Sequence, residues 1–193
     1  RMGTDDSLQQ GIRHGLFSLF CAYDGTDERA GLSPGGLAGE TLGGASHWST
    51  EVFCLPVVLS TMGIPAAQRL LLYRFHQLEK ATENAQRLGC KGALYPLATH
   101  DGEECHPDGA RALTEIHRNA MIFYAFFCTY EHSRDKLFLM ETGLPVMLAI
   151  CRYWVSRVTW NARKRCYMPV SFTHLTRPPC AYGYFSVGAS CFP

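Results

Sequence analysis

Three clusters of side chains in this 193-residue sequence have the types and spacing to do chemistry. The first is His47-Trp48-Ser49-Thr50-Glu51, where an indole and a carboxylate stand three residues apart and share a face if Trp48 is already helical. An aromatic ring can lie on the apolar face of a sugar while polar neighbours take its hydroxyls. The competing interpretation makes Trp48 a core anchor and Glu51 a capping carboxylate, and the residues alone favour it. The second cluster, His100-Asp101-Gly102-Glu103-Glu104-Cys105-His106-Pro107-Asp108, is dense in imidazoles and carboxylates. These are metal ligands, but no spacing matches a zinc signature, so a solvated acidic loop is the expectation and no metal is assigned. The third, Glu115-Ile116-His117-Arg118-Asn119, places Glu115, Arg118 and Asn119 at i, i+3 and i+4. They form one polar face that either pairs ions or reads hydroxyls, with structural pairing favoured. Two carboxylates facing each other across a cleft would serve glycoside chemistry, but a sequence does not fix their separation.

Composition narrows the setting. Apolar residues make up 47% and charged residues 18%, which excludes intrinsic disorder and fibrous architectures. The length is room for one domain with a real core, or for part of a larger repetitive architecture. Lys and Arg (18) nearly balance Asp and Glu (17), so no basic field exists to hold nucleic acid or an anionic membrane, and a neutral partner is expected. Nine cysteines are widely spaced, odd in number and without a CxxC pair, and most sit in apolar runs as small hydrophobes. They predict a reducing, cytoplasmic environment. Neither a secretory signal nor a charge-free run of 18 apolar residues is present, which predicts no export and no membrane insertion.

The elements that must position these clusters read as helices. Residues 5–23 place Leu8, Ile12, Leu16, Leu19 and Phe20 at helical spacing, with Asp5, Asp6 and Ser7 as N-cap candidates. Residues 24–47 carry seven glycines and Pro34 and form a long loop. A helix is expected over 52–59 and another over 66–88, the latter opened by Pro65 and closed by Gly89. A second long loop spans 89–113. Helix is then predicted for 114–130 and for 135–158, interrupted near Gly143-Leu144-Pro145. No strand pattern is evident before residue 160, and from Arg163 neither period holds. Long helices joined by alternating short turns and long loops imply a helical bundle or toroid.

The order of several blocks carries more than any one of them. Gln9-Gln10-Gly11-Ile12-Arg13, Pro34-Gly35-Gly36-Leu37-Ala38-Gly39-Glu40, Trp48-Ser49-Thr50-Glu51 with Cys54 and Pro56, Arg69-Leu70-Leu71-Leu72-Tyr73-Arg74-Phe75, Lys91-Gly92-Ala93-Leu94-Tyr95-Pro96, Gly102-Glu103-Glu104-Cys105-His106 and Glu115-Ile116-His117-Arg118-Asn119 occur in register. With Arg152-Tyr153-Trp154 and Arg157-Val158, they resemble glycoside hydrolase family 65 over roughly residues 5–170.

The resemblance implies an all-α fold, a partial (α/α)6 toroid that is about the first half of a helical barrel, with its active site built by loops at one end. Residues 1–170 would be the N-terminal part of the central catalytic domain, and 171–193 a non-matching tail, disordered or non-native. In the family a Trp-Asp pair holds the glucosyl unit. Trp48 matches the Trp, whereas Ser49 stands where the Asp is expected and cannot make a carboxylate's charge-assisted bonds. His106 and Asp108 match the segment that contacts the second sugar, although Gly109-Ala110-Arg111-Ala112 departs from its pattern. Glu115 and His117 complete the implied substrate-binding set.

The implied reaction is phosphorolysis of an α-glucosyl disaccharide such as maltose with inversion. A carboxylic acid protonates the glycosidic oxygen while inorganic phosphate, a co-substrate, attacks the anomeric carbon to give β-glucose 1-phosphate. No cofactor is implied, and the parent would be a homodimer. The catalytic acid belongs to a Gly-Pro-x-Glu-Tyr block expected after Val170, but the sequence reads Ser171-Phe172-Thr173-His174-Leu175 and contains no Glu or Asp after Glu141. No catalytic residue is therefore assigned, and the chain by itself is expected to be inactive. Two alternatives stand beside this reading: a catalytically dead carbohydrate-binding or structural helical module, and part of a family 65 hydrolase.

Overall fold

Three prolines mark three helix starts in the computed structural model of the chain, which describes residues 6–29, 31–33, 35–36, 42–109, 112 and 115–169. Pro56 and Pro65 lie in the first turns of α2 (Leu55–Thr61) and α3 (Ile64–His76), and Pro145 in that of the helical stretch Leu144–Ser156. A missing N–H costs nothing at such positions. Two of the three are preceded by a π-helical turn, Thr50–Cys54 before Pro56 and Leu139–Gly143 before Pro145. In each, the residue before the proline bonds five back, Leu55 to Thr50 and Leu144 to Leu139. Widening the turn moves the i−4 carbonyl away from the pyrrolidine ring, so the chain runs through proline without breaking.

The remaining helices are α1 (Asp6–Ala22), α4 (Leu78–Arg87), α5 (Arg118–Ser133) and α6 (Lys136–Ser156), the last containing the second π turn. The single helix expected over 66–88 is two helices, because the backbone bends at Gln77, whose N–H turns back to Arg74 and Phe75. The interruption expected near Pro145 is a π turn rather than a break. Helix α5 begins at Arg118, later than the expected 114, and ends on Arg134 in the left-handed region (φ 53°), with Asp135 capping α6 by accepting from Phe138 N at 3.0 Å. By length and composition alone, α6 could cross a membrane; its Val146, Ala149, Ile150 and Tyr153 are buried in the protein core.

Two small sheets correct the all-helical expectation. β1 (Ser46–His47) pairs antiparallel with β2 (Ala98–Thr99), His47 opposite Ala98, and each strand is too short for alternation to register. β3 (Val158–Asn161) and β4 (Cys166–Pro169) form a hairpin where the sequence seemed to lose all periodicity. Its strands are rich in β-branched and aromatic residues, and Trp160 meets Tyr167 edge-on at 5.1 Å. Residues 171–193, and within the glycine-rich loop Pro34 and residues 37–41, lie outside the described residues.

One core joins α2, α3, α5 and α6 through Leu55, Val58, Leu70, Leu71, Ile122, Phe126, Val146 and Ile150. Helix α1 buries none of its side chains completely, and Ile12, Phe17 and Phe20 are exposed. So are Phe127, Leu137, Met140, Leu148 and Val155 on α5 and α6. The extended segment after α4 lies directly on α6. Gly92, at φ +78°, leaves no room for a Cβ, which would run into the Ala149 carbonyl and the Tyr153 amide. Gly92→Ala should therefore lower unfolding free energy by about 2 kcal/mol or more, from backbone strain plus lost packing on α6. An unchanged denaturant midpoint would show that the segment does not need this close approach.

Candidate functional site

Trp48 follows β1 directly, and the pairing of His47 with Ala98 fixes where its ring can go. The half-buried indole sits between two imidazoles. His117, at the N-cap of α5, meets it edge-on at 4.8 Å and 85°, and His47 lies tilted at 5.4 Å. The indole Nε1–H is shielded from solvent and has no acceptor among the described residues. Ser49 turns back on His47: its amide lies 3.3 Å and its hydroxyl 3.0 Å from His47 Nδ1. Since the amide can only donate, Nδ1 accepts and the neutral ring carries its proton on Nε2. The Ser49 hydroxyl is thus committed to an imidazole.

Glu51 is neither a cap nor a surface carboxylate. Its side chain is 4% exposed and grips Arg74, 0% exposed, with Arg74 Nε donating to Oε1 at 2.5 Å and Nη2 to Oε2 at 3.3 Å. Burial disfavours the charged guanidinium, but the charge and hydrogen bond of Glu51 outweigh it and hold the Arg74 proton more tightly than usual. The Arg74 carbonyl accepts from Tyr95 Oη at 3.0 Å, and burial pushes that phenol far up. From Trp48 the chain is thereby anchored through Glu51 to α3 and on to the extended segment.

The third cluster pairs with backbone. Asn119 takes the Tyr95 amide at 3.1 Å and donates to the Ala93 carbonyl at 2.8 Å. Arg118 donates to the carbonyls of Tyr95 at 2.5 Å and Glu115 at 3.0 Å, with Glu104 at 3.9 Å. Burial lowers its affinity for the proton, and Glu104 offsets that only in part. Glu115 is half-buried one turn before α5.

In the second cluster, His106 Nδ1 accepts from the Asp108 amide at 3.1 Å, an exposed local turn. The His106 amide donates to Glu104, which stands 3.9 Å from Arg118 at the start of α5. No group of three or more metal-ligating side chains converges among the described residues. A cavity of about 330 Å³ opens beside this loop, lined by Leu88, Leu94, Pro96, Glu104, Ala112 and Arg118, while Trp48 is not among its lining residues. The structure brings Trp48, Ser49 and His117 together and sets His106 and Asp108 on an adjoining loop. Sequence reasoning placed Arg74 in a family block and Glu104 in the solvated acidic loop without giving either a role in the site. The signal for Arg74 was a charge on the apolar stripe of α3, one turn after Leu70 and Leu71, which demands a buried partner.

The indole, flanked by two imidazoles, lies where a loop meets a helical scaffold, a place where binding residues commonly sit. The model of the glycosyl hydrolase family 65 central catalytic domain matches residues 13–171, and the chain belongs to this family. It is 44% identical over 164 residues to maltose phosphorylase of Bacillus subtilis, covering 85% of this chain and 22% of that protein. Protein-glucosylgalactosylhydroxylysine glucosidase of Gallus gallus is 34% identical over 163 residues, covering 80% of this chain and 22% of that protein. Among solved structures, a putative kojibiose phosphorylase from the human microbiome superposes with a TM-score of 0.77 at 32% identity, over 82% of this chain and 21% of that one. The chain spans about a fifth of the length of these relatives.

Removing one partner of a buried ion pair leaves a charge without compensation, so Glu51→Ala should cost about 3–5 kcal/mol of stability. A Glu51→Met/Arg74→Leu double variant should recover most of it. Urea unfolding of the three proteins checks this, and a loss below about 1 kcal/mol for Glu51→Ala would remove the pair from its anchoring role.

Proposed function

We propose that the chain forms the first half of an (α/α)6 catalytic barrel, residues 1–170, and supplies the sugar-site wall of an inverting α-glucosyl disaccharide phosphorylase acting on a disaccharide such as maltose. The 44% identity to maltose phosphorylase carries this reading, and the family match takes in all six candidate residues. The exposed apolar faces of α5 and α6 support a half barrel, because further barrel helices would cover Phe127, Leu148 and Val155.

On this reading the Trp48 ring stacks on the glucosyl unit, with His117 fixing its tilt. Ser49 gives weaker hydroxyl recognition than a carboxylate, the more so because His47 already engages it. Glu115 and His117 border this unit, and His106 and Asp108 meet the second sugar. Phosphate is the co-substrate: its oxygen bonds to the anomeric carbon as the glycosidic C–O bond breaks, and the leaving oxygen takes a proton from a carboxylic acid. No carboxylate follows Glu141 to serve as that acid, so the 193 residues by themselves are inactive. The described cysteines are all free, in keeping with a cytoplasmic setting, and the intact protein is a homodimer.

The purified chain should release no glucose 1-phosphate from maltose, trehalose, kojibiose or nigerose in phosphate buffer, and turnover above background would overturn the inactivity. Calorimetric titration should detect weak maltose binding that Trp48→Ala weakens at least about tenfold, the worth of a lost ring stack with its buried area. Cooperative melting without any sugar binding would favour a structural module instead. The glucosidase relative supports a second reading, hydrolysis. Release of glucose without phosphate by the intact protein would select it.

A further inference from the structure

We propose that Glu104, held by Arg118, is the positioning residue that sets the second-sugar loop against the Trp48 platform, an inference that rests on the sugar-site reading above. The carboxylate joins two backbone segments, through three amides, to the Arg118 side chain. Oε2 accepts from Leu97 N at 2.6 Å, and Oε1 from Ala98 N at 3.1 Å and His106 N at 3.1 Å. Arg118 Nη2 stands 3.9 Å from Oε2. An ionised carboxylate offers about four lone-pair sites and no donor, so it alone among side chains can take three amides and a guanidinium. A glutamine has one oxygen, and its NH2 would confront either those amides or Arg118.

Each partner of Glu104 leads to a different part of the candidate site. Ala98 lies opposite His47 in the β1–β2 pair, and Trp48 follows. His106 begins the turn to Asp108. Arg118 opens α5 immediately after His117, whose ring touches Trp48, and it also donates to the Glu115 carbonyl. The Glu104 side chain is 28% exposed against 2% for Arg118, which places it between the core and the loop. Elsewhere the loop is tied by Cys105 N donating to the Ala98 carbonyl at 2.9 Å, Gly102 N to Thr99 Oγ1 at 2.7 Å and Tyr73 Oη to the His100 carbonyl at 3.0 Å, whereas Lys80–Asp101 and Arg87–Glu103 are exposed ion pairs that fix little. Those ties reach only as far as Cys105; the His106 amide, where the turn to Asp108 begins, is held by the Glu104 carboxylate.

The test compares the chain with Glu104→Gln and Glu104→Asp by amide exchange and by titration with maltose and with glucose. In Glu104→Gln, the amides of Leu97, Ala98 and His106 should exchange at least about tenfold faster, the scale of a lost charged hydrogen bond. The Tyr95 amide, bonded to Asn119, should keep its rate. Maltose affinity should fall about tenfold with glucose affinity held within about twofold, because only the second-sugar loop is released. Glu104→Asp, which keeps the charge on a shorter stem, should lie between. Unchanged exchange at the three amides would overturn the proposal, as would equal opening at Tyr95 or an equal loss of glucose and maltose binding. If the unsubstituted chain binds neither sugar, the sugar-site reading falls, and the exchange of the three amides alone decides whether Glu104 sets the loop.

Discussion

The buried pair of Glu51 and Arg74 is the constraint on which the arrangement depends. A carboxylate and a guanidinium taken out of water must meet each other in good geometry and have their remaining hydrogen-bonding groups satisfied. That requirement locks the turn after Trp48 to α3 at one register. It extends further, because the Arg74 carbonyl receives the Tyr95 hydroxyl and Arg74 Nη1 reaches Gln77 Oε1 at 3.4 Å, where α3 gives way to α4. An apolar pair of the same volume could fill the space. It would not say where Trp48 must point.

The second level of organisation concerns backbone without regular structure. Residues 93–99 are buried, and buried amides and carbonyls need partners. The amides of Ala93 and Leu94 find the carbonyls of Ala149 and Ala81, and side chains provide further partners. Asn119 takes one amide and one carbonyl, Arg118 takes the Tyr95 carbonyl, and Glu104 takes the amides of Leu97 and Ala98. The polar residues at the start of α5 thus serve to solvate a neighbouring strand-like segment inside the protein. His117, exposed at the same turn, is left to face Trp48.

Much of the helical order was legible because amphipathic spacing and proline placement act locally. The helices containing Leu70, Ile122 and Ile150 were foreseen near their observed positions, Pro65 did mark a first turn, and the interruption expected at Pro145 is a π turn inside a continuous helix. The bend at Gln77 was not, since every residue around it is a good helix former and the break follows from how α3 and α4 pack. The two-residue strands at His47 and Ala98 escaped because pairing across fifty residues leaves no local period. The hairpin ending in Pro169 was hidden by its basic turn, where Arg165 adopts φ 51°.

By itself the sequence determined the family, the mostly helical class and the candidates for a sugar site, because ordered blocks and hydrophobic periods are written along one dimension. It also pointed to Trp48 and to the serine beside it. Only the tertiary structure decided which polar residues face inward. Glu51, Arg74, Glu104, Arg118 and Asn119 look like ordinary surface or capping groups in a list. Glu51, Arg74, Arg118 and Asn119 are buried, and Glu104 reaches Arg118 from a more exposed loop, because each must neutralise a charge or satisfy a backbone group that folding brings to it.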